Sequence, residues 1–279
     1  LEKFRKKMLF DKHISKLHDF ADSKECFQGV DIMGGVCYFL WERDLETECE
    51  VFRHDVNGVR ISKRYLAYKN DTVFIREEKL ISIKNKVELL NEDLFEKIVS
   101  PNKPYGLRGD VFDFPEKYGL PHMLQDAGDF RVIGLSKNKR TYRYVLKDYP
   151  LPRKENLDKW KIFIPRNYGC GPIGGSVQTP VLPIPIPATP NELCTETFIE
   201  IGPFNNKQER DNAMSYIKTK FFRTLVGIIK QDQGCSRNVY QYVPMQDFNE
   251  SWTDEKLYKK YNLTQEEIEF IESMIKPME

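Results

Sequence analysis

Three groupings of residue types in this chain could do chemistry. The first is the loop Cys26-Phe27-Gln28-Gly29-Val30-Asp31-Ile32-Met33-Gly34-Gly35, which sets one isolated aromatic, Phe27, among three glycines. Glycines without a Cβ let a backbone approach a ligand closely, so this loop has the layout of a site. The second is a concentration of cations. Between residues 136 and 166, Lys137, Lys139, Arg140 and Arg143 are followed by Lys147, Arg153, Lys154, Lys159, Lys161 and Arg166, with only Asp148, Glu155 and Asp158 against them. Tyr142, Tyr144, Tyr149, Trp160 and Phe163 interleave, the mixture expected where cations meet a phosphate backbone. The plainer reading is a solvated sheet edge. A further basic group, Lys218, Lys220, Arg223, Lys230 and Arg237, faces Asp232 alone between residues 214 and 240. The third grouping, Asp71 with Glu77-Glu78-Lys79, echoes the acidic pair and lysine of metal-dependent nucleases. In a chain that is 30% charged such a string arises readily by chance.

Composition narrows the classes. The 279 residues are 40% hydrophobic and 13% aromatic, enough for two moderate cores. A net charge of +1 excludes a uniformly basic nucleic-acid binder, so any such function rests on local asymmetry. From Asp247 onward the sign reverses, with nine acids against four lysines, and that end is expected to face away from a polyanion. His13, His18, His54 and His122 lack the spacing of a metal site, and no metal is expected. The six cysteines contain no Cys-x-x-Cys pair, which points to reduced thiols in a cytoplasm. No apolar run approaches the roughly 20 residues of a membrane span, and no membrane partner is expected.

The elements that must position these residues can be read from periodicity. Leu1, Phe4 and Met8 recur at helical spacing, so residues 1–9 form an amphipathic helix against a sheet. Residues 14–20 read as a strand, and the unbroken apolar run 36–41 reads as a strand buried on both faces. Residues 49–52, 60–65 and 72–75 are further strands, separated by the turn pairs Asn57-Gly58 and Asn70-Asp71. Residues 80–99 suit one or two connecting helices, ended by Pro101 and Pro104. The six prolines and four glycines of 169–190 exclude regular helix and interior strand. Arg166 and Asn167, just before that loop, stand where side chains could enter a nucleic-acid groove. Residues 195–201 resume as a strand. Asn206 caps a long helix with the stripe Met214, Ile217, Phe221, Leu225 and Ile228. Thr264 with Glu267 forms a capping box for the last helix, carrying Ile268, Ile271 and Ile275.

Several of these stretches together resemble a known family, the amino-methylating DNA adenine methyltransferases of bacterial restriction-modification systems. In the subgroup whose target recognition domain is C-terminal, a helix, a strand, an aromatic-bearing loop and a further strand close the catalytic domain. Residues 1–9, 14–20, 26–35 and 36–41 look like that succession. Lys103-Pro104-Tyr105-Gly106-Leu107-Arg108, Tyr216-Ile217-Lys218-Thr219-Lys220-Phe221-Phe222-Arg223 and Tyr242-Val243-Pro244-Met245-Gln246-Asp247-Phe248 look like its recognition domain. The family's glycine-containing turn for S-adenosylmethionine and its Asn/Asp-Pro-Pro-aromatic tetrad are both absent. The nearest string, Pro101-Asn102-Lys103-Pro104-Tyr105, lacks adjacent prolines.

The resemblance implies an α/β fold: a C-terminal remnant of a Rossmann-like methyltransferase sheet over residues 1–85, then an α+β target recognition domain over 86–279. Because residue 1 falls in mid-helix, the chain reads as the C-terminal piece of a longer protein, inactive alone, whose parent uses S-adenosylmethionine. Phe27 matches the aromatic that stacks on the flipped adenine in the family, where core packing is the other reading of the residue. Double-stranded DNA is the expected partner, with a cognate restriction endonuclease beside it. The DNA-binding residues would be Lys137, Lys139, Arg140, Arg143, Arg166, Asn167, Lys220, Arg223, Lys230 and Arg237. A non-enzymatic DNA-specificity subunit is the alternative, and a nuclease using Asp71, Glu77 and Lys79 a third.

Overall fold

In the computed structural model, residues 2–29, 32, 34–55, 58–69, 71–168, 173, 178–230 and 233–278 are described. The chain is mixed α/β, with three sheets and six α-helices among the described residues. It opens with helix α1 (Glu2–Leu9) and strands β1 (Ile14–Phe20), β2 (Val36–Trp41), β3 (Cys49–Asp55) and β4 (Gly58–Arg64). These strands make one sheet in the order β2-β1-β3-β4, where β1 and β3 are parallel and the other pairs antiparallel. One face carries the hydrophobic core and the other a layer of rings, His18, Phe20, Tyr38, Phe52 and His54. Leu17 and Val51 join Leu9, Ile14, Cys49, Leu66 and Ala67 in a small core beneath α1.

Three expectations for this region need correction. β2 is not buried on both faces, because it is an edge strand: Tyr38, Phe39, Leu40 and Trp41 are all 46–52% exposed. An unbroken apolar run fits a central strand, but it also fits an edge whose rings lie along their neighbours. Tyr38 here stacks on His18, and Trp41 donates its Nε1–H to Asp11 at 3.0 Å. Residues 72–75 form no strand; Thr72 is tied instead to the far end of the chain through Tyr242 and Gln241. Phe4 points into solvent, so α1 reaches the core only through Met8 and Leu9. The Asn57 and Asn70 turn positions lie outside the described residues.

Helix α2 (Glu78–Leu89) follows, then strands β5 (Phe130–Ser136), β6 (Lys139–Val145), β7 (Trp160–Pro165), β8 (Ile186–Ala188), β9 (Glu192–Cys194) and β10 (Phe198–Phe204). The sheet β10-β7-β8 is the middle layer of this half. Successive strand residues point to opposite faces. Accordingly Ile162, Ile164, Ile199 and Ile201 enter a large core with α2 and the C-terminal helices, while Phe163, Phe198 and Ala188 enter a second core with the sheet β6-β5-β9. The proline-rich stretch contains a strand after all, since β8 is only three residues long and pairs along one edge, which Pro187 tolerates. The strand expected at 195–201 begins at Phe198, because Thr195 turns: its N–H bonds Ile133 O and its O accepts from the Phe198 N–H.

The C-terminal helices are α3 (Lys207–Lys218), α4 (Lys220–Ile229), α5 (Asp254–Lys260) and α6 (Gln265–Met274). Asn206 caps α3 and Thr264 with Glu267 forms the capping box of α6, both as expected. The single long helix is a correction. At Thr219 the backbone is extended and the hydroxyl accepts from Phe222 N, so the chain stops one helix and caps the next at the same residue. The apolar stripe runs through the break because both helices bury the same side in the large core.

Candidate nucleic-acid interface

The two-residue turn of the β5–β6 hairpin places Lys137 and Asn138 at positive φ, the pattern of a type I′ turn. Asp113 fixes it: Oδ1 accepts from the Ser136 hydroxyl at 2.6 Å and Oδ2 from the Lys137 N–H at 2.9 Å. These hydrogen bonds hold the Asp113 carboxyl below its ordinary range. Lys137, Lys139 and Arg140 are thereby presented, exposed, at one end of the hairpin. Arg140 lies opposite Leu135 with its guanidinium 5.6 Å above the Phe198 ring. Arg143, three residues on, points to the other face, over Phe112.

Beside Arg140 lies a cleft of about 890 Å³, whose walls include Lys103, Arg108, Arg140, Arg153, Arg166 and Asn167. Each wall has a structural reason. Arg166 and Asn167 leave the end of β7, where the Arg166 N–H bonds Thr197 O at 2.9 Å and its carbonyl accepts from Cys235 N at 2.7 Å. Glu196 holds the segment 103–109: it accepts from the Gly109 N–H at 3.0 Å and pairs with Arg108 at 3.4 Å and Lys103 at 3.5 Å. Arg140 and Arg166 have no carboxylate partner among the described residues, so their charge is available to a ligand. The cleft therefore brings together Arg140, Arg166 and Asn167, with Lys137 and Lys139 on the adjoining hairpin, and leaves Arg143 out.

The second basic group is overturned. Arg223 is 1% exposed and spends its guanidinium on backbone carbonyls, those of Thr219, Pro180, Lys276 and Lys218. Burial pulls its pKa down to about 10. Lys230 is buried and donates to Tyr168 O at 3.1 Å, and Lys220 pairs with Glu272. These three cations fasten α4 to its surroundings. Arg237 alone is exposed, in a smaller cleft nearby. Lys161, counted in the first group, is also buried; its Nζ donates to Asn156 O at 2.5 Å, and burial lowers its pKa.

The acidic string does not assemble. Asp71 pairs with Lys84 at 2.8 Å, Glu77 pairs with Arg53 and Arg60, and Lys79 lies over the Phe270 ring. Among the described residues no three His, Cys, Asp or Glu side chains could hold a metal. His18 and His54 do meet, at 2.9 Å across β1 and β3, and burial followed by His54 lowers the His18 pKa. Phe27 is 53% exposed, at the end of a short turn capped by Asp22, which excludes the core reading of this residue. Among the described residues no helix is long and apolar enough to cross a membrane.

Lys103, Arg108, Arg153 and Glu196 were not singled out as site residues from sequence. A signal existed for the first two, which belong to the segment 103–108 that carries part of the family resemblance. Arg153 was visible only as one cation in a count, and nothing marked Glu196.

No family model matches the chain. Over 42 residues, 15% of this chain and 10% of the relative, it is 40% identical to an uncharacterised adenine-specific methylase of Mycoplasma pneumoniae. Among solved structures it is similar to that of the type IIG restriction endonuclease BpuSI, with a TM-score of 0.38 and 8% identity over 94% of this chain and 40% of that one. The chain thus spans a tenth of the methylase's length and two fifths of the endonuclease's. The methylase match agrees with the resemblance drawn from the sequence: over those 42 residues this chain resembles an adenine-specific methylase.

Proposed function

We propose that this chain is the DNA-recognition part of a restriction-modification adenine methyltransferase. Residues 1–85 are then the last segment of the catalytic domain's Rossmann-like sheet, and 86–279 the target recognition domain. The observation that carries this reading is the cleft in which Arg140 and Arg166 stand without carboxylate partners. Cations set along a groove neutralise phosphates, and a side chain at a strand end can reach base edges. Arg166, beside Asn167, is the base reader in this account, and Lys137, Lys139 and Arg140 contact phosphates.

Methylation of adenine requires the base to leave the duplex, where an aromatic holds it by stacking. The exposed ring of Phe27 is suited to that task in the complete enzyme. The residues present do not fit S-adenosylmethionine. The Gly29 and Gly34-Gly35 turns lead into an antiparallel edge strand, and the tetrad for the target amino group is missing as well, since no two prolines are adjacent anywhere in the chain. The cofactor, and a cognate endonuclease, belong in this account to the complete system.

The test is a titration of wild type, Arg140→Glu and Arg166→Ala against duplexes with and without the complete enzyme's methylation target, at several salt concentrations. Arg140→Glu should weaken binding to both and flatten the salt dependence by about 0.9 in slope. Arg166→Ala should cost about 1–3 kcal/mol on the target and much less on random DNA. Unchanged affinity and slope in both variants would mean that the cleft is merely solvated.

A further inference from the structure

The cleft of Arg140 and Arg166 is bounded on one side by a ridge, the turn 101–106. This ridge is built rigidly. At its base the Ser100 N–H bonds Glu200 O at 2.8 Å, and the Ser100 hydroxyl accepts from Glu200 N at 2.9 Å. Its far end closes on Gly106, whose φ of +75° is one that side chains avoid, and where a Cβ would come within 2.5 Å of Pro152. Arg153 then reaches the Lys103 carbonyl at 3.5 Å.

Beyond the ridge lies a second cleft of about 320 Å³, lined in part by Lys97, Ser100, Arg153, Asn156 and Arg237. Arg153 belongs to the walls of both clefts. Arg237 is exposed and has no carboxylate partner among the described residues. Of the acids at this cleft, Glu200 is 3% exposed and turned inward, bonded to the Tyr105 hydroxyl and to Asn156 Nδ2 at 2.8 Å. Glu155 is exposed and opposes the cations, and Lys97 is shared with Asp93 at 2.5 Å. Two arginines therefore outweigh the one solvent-facing carboxylate. Lys103 is the only charged residue on the ridge itself, so a polyanion crossing from one cleft to the other meets no acid there.

We infer that the two clefts are one track for the phosphate backbone of a duplex, running from Arg140 and Arg166 past Arg153 to Arg237, which takes a phosphate remote from the bases that are read. This inference rests on the DNA reading and extends its footprint to a surface lying across the ridge. Being spaced along one backbone, the contacts add to salt dependence and not to sequence preference.

The experiment measures affinity of the full chain for a random-sequence duplex across salt concentrations, with Arg140→Glu, Arg237→Glu and Glu155→Lys. Arg237 and Glu155 are exposed, so thermal melting should be unchanged in both variants. Arg237→Glu should weaken binding and lower the slope by about 0.9, while Glu155→Lys should raise the slope by a similar amount. If Arg140→Glu flattens the slope while Arg237→Glu and Glu155→Lys both leave it unchanged, the track ends at the ridge; the inference is wrong and the DNA reading survives. If none of the three alters the slope, the DNA reading has failed and the track with it.

Discussion

Residues 136–166 and 214–240 both carry a surplus of cations, and the fold treats most of them in opposite ways. In the first stretch Arg140 and Arg166 stand in a cleft without acidic partners. In the second, Arg223 and Lys230 are 1% and 3% exposed and bond to carbonyls. The difference lies in what surrounds each charge. Arg223 sits in Lys220–Ile229, whose residues from Phe221 to Ile228 are all buried, so the side that bears Arg223 and Thr224 is packed just as the apolar side is. A guanidinium there has only backbone acceptors to satisfy its five donors. Arg140 instead occupies a strand at the sheet's edge, in the order β6-β5-β9, where alternate residues have solvent to point into. A count of charges says how many cations a segment has; the packing around each one decides whether it is structural or available.

Arg223→Ala gives the sharpest break of that comparison. It abandons four carbonyl contacts at once and should cost on the order of 3 kcal/mol in urea unfolding. Arg223→Lys should recover little, because an ammonium cannot reproduce the fork. DNA affinity of the folded Arg223→Ala protein should stay at the wild-type value; a weakened, flatter salt dependence with intact stability would put Arg223 back on the surface.

The same reasoning applied to an acid gives a smaller, pH-dependent effect. Burial is the largest influence on Glu200 and raises its pKa above the ordinary 4.5. Below pH 4.5 the side chain is protonated in both folded and unfolded chains, and its contribution to stability is complete. As pH rises through the elevated folded value, the unfolded chain holds fewer protons and that contribution is lost. The unfolding free energy of wild type relative to Glu200→Gln should therefore fall as pH increases from 4.5. A flat or rising difference would mean that Lys161 stabilises the ionised carboxylate more than burial penalises it.

The smallest effect belongs to Phe27. A ring 53% exposed has little packing to lose, so Phe27→Ala should change unfolding free energy by less than about 0.5 kcal/mol. A loss of about 3 kcal/mol or more would be the signature of a core aromatic.

What could be read in the sequence was local. β1 and β2 begin and end where their patterns do, and the caps at Asn206 and Thr264 depend on residues three positions apart. The break at Thr219 was hidden because the stripe through Ile217 and Phe221 keeps its phase across two helices that share a core. The exposure of β2 was hidden because an apolar run carries no information about its neighbours in the sheet. About half of the cleft was legible, Arg140, Arg166 and Asn167 among its walls. Glu196 and Gly109 were not, since their hydrogen bond joins residues 87 positions apart and exists only once β10 and the ridge have come together.

The edge strand β2 has a consequence for how this chain behaves among its own copies. Among the described residues nothing pairs with the outer side of Val36–Trp41, which offers a row of free amide and carbonyl groups beneath a continuous apolar sequence. It contains no proline, lysine or other charged residue, the devices by which sheet edges discourage further pairing. Six such residues are long enough to template a matching strand. An edge of this kind is a template for pairing between copies, and a lysine placed on it would act as a gatekeeper.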